Sequence, residues 1–517
     1  MRCNIQILCF VILGFNSDSF AQRIQAAQST AIFSAIKGSV SKPDTIALYA
    51  TRGSDLMGKL KISGEHSSFF VQVSSTPKRL SANEQQHLIF VFKPSENFVG
   101  IANAELTISG MSEPMKLIGL STNGLEGENE APLSRVVEAL GYTTDIGWTT
   151  LPNNLSPTLQ GSELKPTLFQ KANEGMVEMI PVARYSPDFL LNFGYYVPSS
   201  RGPVQHQAGI LAKADKYPEH QTLFPAVAHG STSFDPGQNT FGFYAISPGH
   251  TVYSEDVWNI LLYPTHAAHA MRIYPLRSQH GEIRNSYLVC MEEAANGDYN
   301  DYVFIVRNVK PVPLDDEFVA LFNGKNLAGW YTWLQSQGKN SDPDKVFTVE
   351  EGGILHDQGS ELGYIMTERS FGNFHFVLEF RWGQKRYPPR ESNKRDSGIC
   401  YNISEDEPDH IWPQSIECQI QEGDVGDFWL LDYSTIQVDG KQNSPSPHTQ
   451  MIKRTDAENP TGEWNTVEVI SFFGKCVHIV NGVVVNYGEN ASRVGGKLLL
   501  QSEYAEIYYR NVRIRPL

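Results

Sequence analysis

From Phe374 to Trp382 every second residue is large and apolar: Phe374, Phe376, Leu378, Phe380 and Trp382, with polar Glu379 and Arg381 between the last three. That period of two belongs to a β-strand with one face in a core, because successive side chains point to opposite sides of the pleat. The same pattern returns in Ser397-Gly-Ile-Cys-Tyr-Asn-Ile, Ser415-Ile-Glu-Cys-Gln-Ile-Gln, Asn465-Thr-Val-Glu-Val-Ile, Val477-His-Ile-Val, Val483-Val-Val-Asn-Tyr and Lys497-Leu-Leu-Leu-Gln. Asn481-Gly482 between two such runs is a two-residue hairpin turn. Seven or more strands with almost no helical periodicity predict a two-sheet jelly roll for residues 315–517.

A chain of 517 residues exceeds what one core serves, so about three domains of roughly 150 residues each are expected. Residues 22–123 carry short alternating runs, such as Leu56 to Gly64, Phe69 to Val73 and Leu88 to Pro94, at the turn spacing of an Ig-like sandwich, and their order resembles the Ig-like modules of secreted bacterial proteins. That module reads as a spacer, or as a surface contacting another protein or a glycan. The acidic stretch Glu126 to Glu130 is a linker, followed by a short helix around Leu133 to Leu140. Residues 130–312 form a second β-rich sandwich, and Val309-Lys-Pro-Val-Pro-Leu leads into the last domain. The whole is an all-β chain.

Arg2, the apolar run Ile5 to Phe15 and Ser19-Phe20-Ala21 have the layout of an export signal over residues 1–21, which predicts a mature start near Gln22 and a secreted or periplasmic protein. That run is too short to span a bilayer, and no second apolar stretch approaches membrane length. The formal charge of -15, with no Lys/Arg run, argues against nucleic acid as a partner. Cys290, Cys400, Cys418 and Cys476 follow the signal; they read as buried small hydrophobes, with Cys400 and Cys418 the one pair placed in consecutive strands. His206, His220, His229, His250, His266, His269 and His280 lack ligand spacing and read as structural or surface residues.

Two places carry oxygen-rich clusters. Asp298, Asn300 and Asp301 crowd a turn before the strand Tyr302 to Val306, which suits calcium or an Asx-rich turn, and the turn resembles the end of calcium-associated β-sandwich modules. Asp424 and Asp427 in Glu422-Gly-Asp-Val-Gly-Asp suit an unspecified divalent cation or simply a Gly-rich turn.

Strand parity puts Glu417, Gln419 and Gln421 on one face, against Ile416, Cys418 and Ile420 on the other. Glu379 with Arg381, Ser397 and Gln501 are the neighbouring polar candidates, and Trp412 and Trp429 bracket the group. Amides and carboxylates in a row flanked by indole rings are how proteins hold sugars, whereas a merely solvated face favours Lys, Glu and Thr. A carbohydrate is therefore the expected ligand.

Leu321-Phe-Asn-Gly-Lys-Asn-Leu-Ala-Gly-Trp, Val349-Glu-Glu-Gly-Gly-Ile-Leu, Arg395-Asp-Ser-Gly-Ile, Trp412-Pro-Gln-Ser-Ile-Glu-Cys-Gln-Ile-Gln-Glu-Gly-Asp-Val-Gly-Asp, Gly462-Glu-Trp-Asn, Val480-Asn-Gly-Val and Leu500-Gln-Ser-Glu together resemble the 3-keto-disaccharide hydrolase domain family. The resemblance covers about two fifths of the chain. It implies a concanavalin-like jelly roll acting on 3-keto-glycosides, with some members lyases. Where it implies a basic or imidazole side chain after Ser397-Gly-Ile, this chain has Asn402.

A ketone at sugar carbon 3 acidifies the hydrogen on carbon 2, so one base and one enolate stabiliser suffice to expel the group on carbon 1. Glu417 is the expected acid/base group, Arg381 or a bound divalent cation the stabiliser, and His448 an alternative base. Two rival readings stand beside this one. A lectin-like module uses the same fold without a perturbed acid. A jelly-roll glucanase needs a carboxylate where Gln419 sits, and the five-residue spacing of Glu417 and Glu422 sends them to opposite faces.

Overall fold

The computed structural model describes residues 24–517 except 51–53, 56–59, 77–78, 82–84, 110, 112, 125–128, 152–156, 166, 215–218 and 314–317. The predicted export segment 1–21 and the start at Gln22 lie outside the described residues. Strands dominate throughout, and the two α-helices described are short, Leu133–Ala139 and Asp256–Leu262. The first of these lies where the sequence places a helix. Among the described residues no helix is long and apolar enough to cross a membrane.

Three sandwiches follow one another along the chain. The N-terminal one has two four-stranded sheets, closed by Met115–Thr122 running parallel to Thr30–Ile36, around a core that includes Phe33, Leu48, Phe90 and Leu117. The middle one packs a six-stranded sheet on a five-stranded sheet through Phe193, Phe243, Ile273, Val289 and Phe304. The C-terminal jelly roll packs two eight-stranded sheets. Its front sheet runs Gly338–Lys339, Trp330–Leu334, Gly363–Thr367, Lys497–Ser502, Asp396–Ile403, Ser415–Gln421, Phe428–Leu431, His448–Met451. The back sheet is centred on Phe374–Arg386 between Ala505–Pro516 and Asn465–Phe472.

Alternation decides which side chains meet between the two sheets of the jelly roll. Phe374, Phe376, Leu378, Phe380 and Trp382 of the back sheet face Ile399, Tyr401, Ile416, Cys418 and Ile420 of the front sheet in one core. At the expected hairpin, Val480 pairs with Val483, and Asn481 and Gly482 take φ of 49° and 81°. Positive φ at both turn residues is what a two-residue hairpin with the native strand twist requires.

The three sandwiches also touch. Ile118 and Leu120 of the first join Leu133, Val136 and Val137 of the short helix against Tyr185, Tyr274 and Leu288 on the outer face of the middle sheet. Leu223 N–H donates to Ser34 Oγ at 2.8 Å across the same junction. The second junction packs Trp258 of the helix Asp256–Leu262 on Phe472, with Tyr196, Ile470, Val477 and Ile479 around them, and Arg515 pairs there with the buried Glu255.

The cysteines behave as buried hydrophobes: all four described are free and buried. Cys400 and Cys418 lie on adjacent strands but on opposite faces, since Cys418 is in the core and Cys400 stands opposite Glu417, so no bridge joins them. Among the histidines, His269 is held between Glu163 at 2.8 Å and Asp256 at 2.9 Å, and His220 sits 2.9 Å from Asp188, structural roles in both cases.

Phe472→Ala should empty the junction under Trp258. A loss of about 3–5 kcal/mol is expected for a buried Phe, with the middle and C-terminal unfolding transitions moving apart in calorimetry; a single unshifted transition would contradict this packing.

Candidate functional site

The front sheet has a second face, turned away from the core, and it carries the polar residues. Cross-strand register lines up Tyr331, Met366, Leu499, Cys400, Glu417, Trp429 and Gln450 in one row, and Trp333, Tyr364, Gln501, Gly398 and Gln419 in the next. A solvated face would be open to water. Here Glu417 is 3% exposed, Gln419 5% and Gln501 2%. The rings Trp333, Trp412 and Trp429 pack around Tyr331, Tyr364, Met366 and Leu431 on this side, so the face is a covered floor lined with aromatic and amide groups.

Gly398 makes room for the central contact. A Cβ at Gly398 would fall inside van der Waals contact of Glu417 Oε1 and of Gln501 Oε1. With hydrogen there instead, the carboxyl of Glu417 and the amide of Gln501 close over the strand between them. Gln501 donates from Nε2 to Cys400 Sγ at 3.3 Å, and its buried Oε1 has no protein partner.

Glu417 has carboxyl neighbours that the parity argument left out. Asp396, paired with Gln421 across the strands, accepts from Gln421 Nε2 at 2.7 Å. Arg390 lies 2.5 Å from both Asp396 and Glu503. Burial, then the charges of Glu503 and Asp396, pushes the Glu417 carboxyl well above the ordinary range, with the Gln501 hydrogen bond opposing. Burial and the Asp396 charge likewise raise Glu503, and burial raises Asp396 against the pull of Arg390. One guanidinium beside three enclosed carboxyls leaves protons in the cluster at neutral pH.

The opposite end of the same floor behaves in the reverse way. Asp409, from the loop before Trp412, accepts hydrogen bonds from Tyr331 at 2.7 Å and Tyr364 at 3.1 Å, and Lys339 Nζ is 2.9 Å away. Although burial works against it, these three donors hold Asp409 below the ordinary carboxylate range. Tyr364 is the cross-strand neighbour of Gln501, which links the two ends through a single side chain. Lys339 Nζ also sits 3.6 Å over the Tyr331 ring. Both Asp409 and Glu503 are absent from the sequence-based candidates. Glu503 stands two residues beyond Gln501 and so shares its parity, a signal open to reading; Asp409 sits in a loop, where no period applies.

Several expectations are corrected. Glu379 and Arg381 belong to the back sheet and face away from the core, where Arg381 lies over Trp464 and Tyr508 and Glu379 pairs with Arg510 at 2.6 Å. Parity gave each strand's polar side rightly, but the two strands lie in different sheets, so Arg381 and Glu417 share no face. Ser397 points into the core, with its Oγ 2.8 Å from the Gln501 carbonyl and 2.6 Å from the Tyr509 hydroxyl. Asn402, with φ of 60°, exchanges hydrogen bonds with Ser471 and holds Gly495 N–H and the Arg493 carbonyl, so it ties the structure together beneath the site. His448 is exposed on the edge strand, opposite Leu431 rather than Glu417. Trp412, Trp429, Gln419, Gln421 and Gln501 do lie on the Glu417 side.

Asp424 and Asp427 are satisfied by protein donors, Asp424 by Lys394 Nζ at 2.6 Å and Asp427 by Gln450 Nε2 and Lys453 N–H, each at 2.8 Å. The glucanase-like partner Glu422 is held by Arg395 at 2.7 Å. Glu407, His410 and Asp432, near Trp412, bring one ligand atom each within 4.8 Å of one another. The sequence-flagged Asp298 and Asp301 converge with Glu292 in the middle sandwich.

Residues 317–515 match the family model described as a 3-keto-alpha-glucoside-1,2-lyase-like domain. The chain is 26% identical over 179 residues to a 3-keto-disaccharide hydrolase of Bacteroides thetaiotaomicron, covering 32% of this chain and 57% of that protein. Similar solved structures include a glycosyl hydrolase candidate of Parabacteroides distasonis, with 20% identity, 39% of this chain, 95% of that chain and a TM-score of 0.29. A β-glucanase of Bacillus licheniformis has 10% identity, 39% of this chain, 97% of that chain and a TM-score of 0.26. The C-terminal domain is thus a jelly roll that over residues 317–515 is similar to a carbohydrate-related domain family.

Gly398→Ala should break the Glu417–Gln501 closure. The melting temperature and any sugar binding should both fall, whereas Gly372→Ala, where a Cβ would meet open space, should leave both unchanged.

Proposed function

We propose that the C-terminal domain cleaves 3-keto-glycosides, with Glu417 as the acid and Asp409 as the base. The observation that carries this reading is the opposition of two carboxyls on one covered face. Glu417 is pushed up by burial and neighbouring charge, and Asp409 is held down by two tyrosines and a lysine. Environments that drive two titratable groups apart are what acid/base chemistry near neutral pH requires. The matched family description and the name of the Bacteroides relative support the 3-keto substrate.

In this reading a sugar ring lies on the indole and phenol rings, with its hydroxyls at Gln419, Gln421 and Gln501. The Asp409 carboxylate takes the proton from carbon 2, and the electron pair forms the enolate of the adjacent ketone. Lys339 and Arg390 are the cations placed to offset the enolate charge, the role expected of Arg381 in the sequence. The carbon 1–oxygen bond then breaks as Glu417 gives its proton to the departing oxygen. Elimination alone is a lyase reaction; later addition of water at carbon 1 completes hydrolysis. Export from the cell, through the segment 1–21, places this activity outside the cytoplasm.

Glu417→Gln keeps shape but removes the proton, so kcat should fall about a hundredfold to ten-thousandfold while binding of a 3-keto-glucoside survives. A native rate in that variant would refute the assignment, and a wild-type domain that binds sugars but cleaves neither keto nor parent glycosides would make it a lectin.

The pH profile offers a separate check. Glu417 must be protonated to act, so the rate should fall as pH rises through its raised pKa. Glu503→Gln removes a like charge, lowers that pKa, and should move the alkaline limb to lower pH. An unmoved limb would separate Glu503 from the acid.

A further inference from the structure

The middle sandwich holds a second group of enclosed carboxyls that the proposed chemistry does not use. Glu292 follows the strand Gly281–Met291, and Asp298 and Asp301 lie in the turn before Tyr302–Arg307. Those strands are antiparallel partners with Met291 opposite Tyr302, so the turn folds back over its own base. One carboxylate oxygen from each of Glu292, Asp298 and Asp301 comes within 4.8 Å of the others, and all three residues are at most 2% exposed.

The donors around them are mostly backbone. Glu292 accepts from the N–H groups of Ala294 at 2.9 Å, Asp298 at 3.0 Å and Tyr299 at 3.3 Å, and Asp301 accepts from Glu293 N–H at 2.6 Å. Asp298 Oδ2 accepts from Asn296 Nδ2 at 2.9 Å, while its Oδ1 has no protein partner. Asn300, fully buried, gives its Nδ2 to the Ala131 carbonyl at 2.9 Å and keeps an unpartnered Oδ1. The buried Arg184 gives its donors to Ser186 and to the carbonyls of Phe189, Ala212 and Pro187 instead. Enclosed carboxylates without a cation are costly, and unpartnered buried oxygens add to that cost.

We propose that Glu292, Asp298 and Asp301, with Asn300 Oδ1, bind a divalent cation of the calcium class. The donor set is oxygen alone, which excludes the soft metals that need thiolate or imidazole. Its depth leaves little room for the several waters that magnesium retains, whereas calcium accepts an irregular shell of carboxylate and carbonyl oxygens. The site also reaches beyond its own turn. Glu130, a further buried carboxyl, lies beside Asp298, and Asn300 Nδ2 donates to the Ala131 carbonyl. Glu130 and Ala131 precede the helix Leu133–Ala139 that packs the N-terminal sandwich on the middle one. The cation therefore fastens the junction of two domains as well as the turn.

The test uses the full mature chain, stripped with chelator and returned to calcium, magnesium or neither. Calcium should restore about one bound ion per chain and raise the melting temperature by about 5 °C or more, with magnesium giving a smaller shift. Terbium, a calcium mimic, should show luminescence sensitised through Tyr299 and be displaced by calcium. Asp298→Asn should lose the ion and the calcium-dependent shift; should that variant fail to fold, stoichiometry and terbium on the wild-type chain decide. A chelated chain that melts unchanged on adding calcium and binds none would overturn the proposal in favour of a protonated carboxyl cluster. An Asp298→Asn chain that keeps both the ion and the shift would overturn it too.

Discussion

The C-terminal domain turns on the enclosure of Glu417 beside Asp396 and Glu503 with a single guanidinium, Arg390, shared by two of them. Carboxyls in such a space cannot all ionise, so the sheet face keeps a proton where an open face would not. Everything near it serves that enclosure. Gly398 leaves the space a side chain would fill, Gln501 closes over it, and Trp412 and Trp429 help to cover the same side.

The jelly roll makes the enclosure possible because its core needs only half of each strand. Ile416, Cys418 and Ile420 anchor the strand to the back sheet, which frees Glu417, Gln419 and Gln421 from any part in that core. A buried polar row on the far side costs stability unless its groups are paired. Most are: Gln421 meets Asp396, and Gln501 meets Cys400. The unpartnered oxygen of Gln501 and the unpartnered indole N–H of Trp429 are the kind of polar groups a sugar hydroxyl satisfies.

The middle sandwich repeats the theme with another balance. Around Glu292, Asp298 and Asp301 most donors are backbone amides; of the enclosed arginines near the turn, Arg184 gives its hydrogen bonds to neutral oxygens and Arg272 pairs with Glu163. The jelly-roll cluster, by contrast, has Arg390 in direct contact. Two acidic clusters in one chain thus call for different solutions, protons in one and a metal in the other.

Periodicity of two, read from the residues, determined the strands, their core sides, the hairpin at Asn481-Gly482 and the face of Glu417, Gln419 and Gln421, because the pleat forces alternation whatever the partners are. It did not determine which strands share a sheet. Arg381 and Glu417 each sit on the polar side of a strand, yet the sheet order places one on the back and the other on the front. Ser397 faces the core because its strand puts Gly398, not Ser397, on the side of Glu417. Asp409 and Arg390 come from loops, whose positions follow from packing over the sheet rather than from any local repeat. Only the tertiary structure decided, therefore, which charges meet, and it is the company of those charges that sets whether a carboxyl keeps its proton.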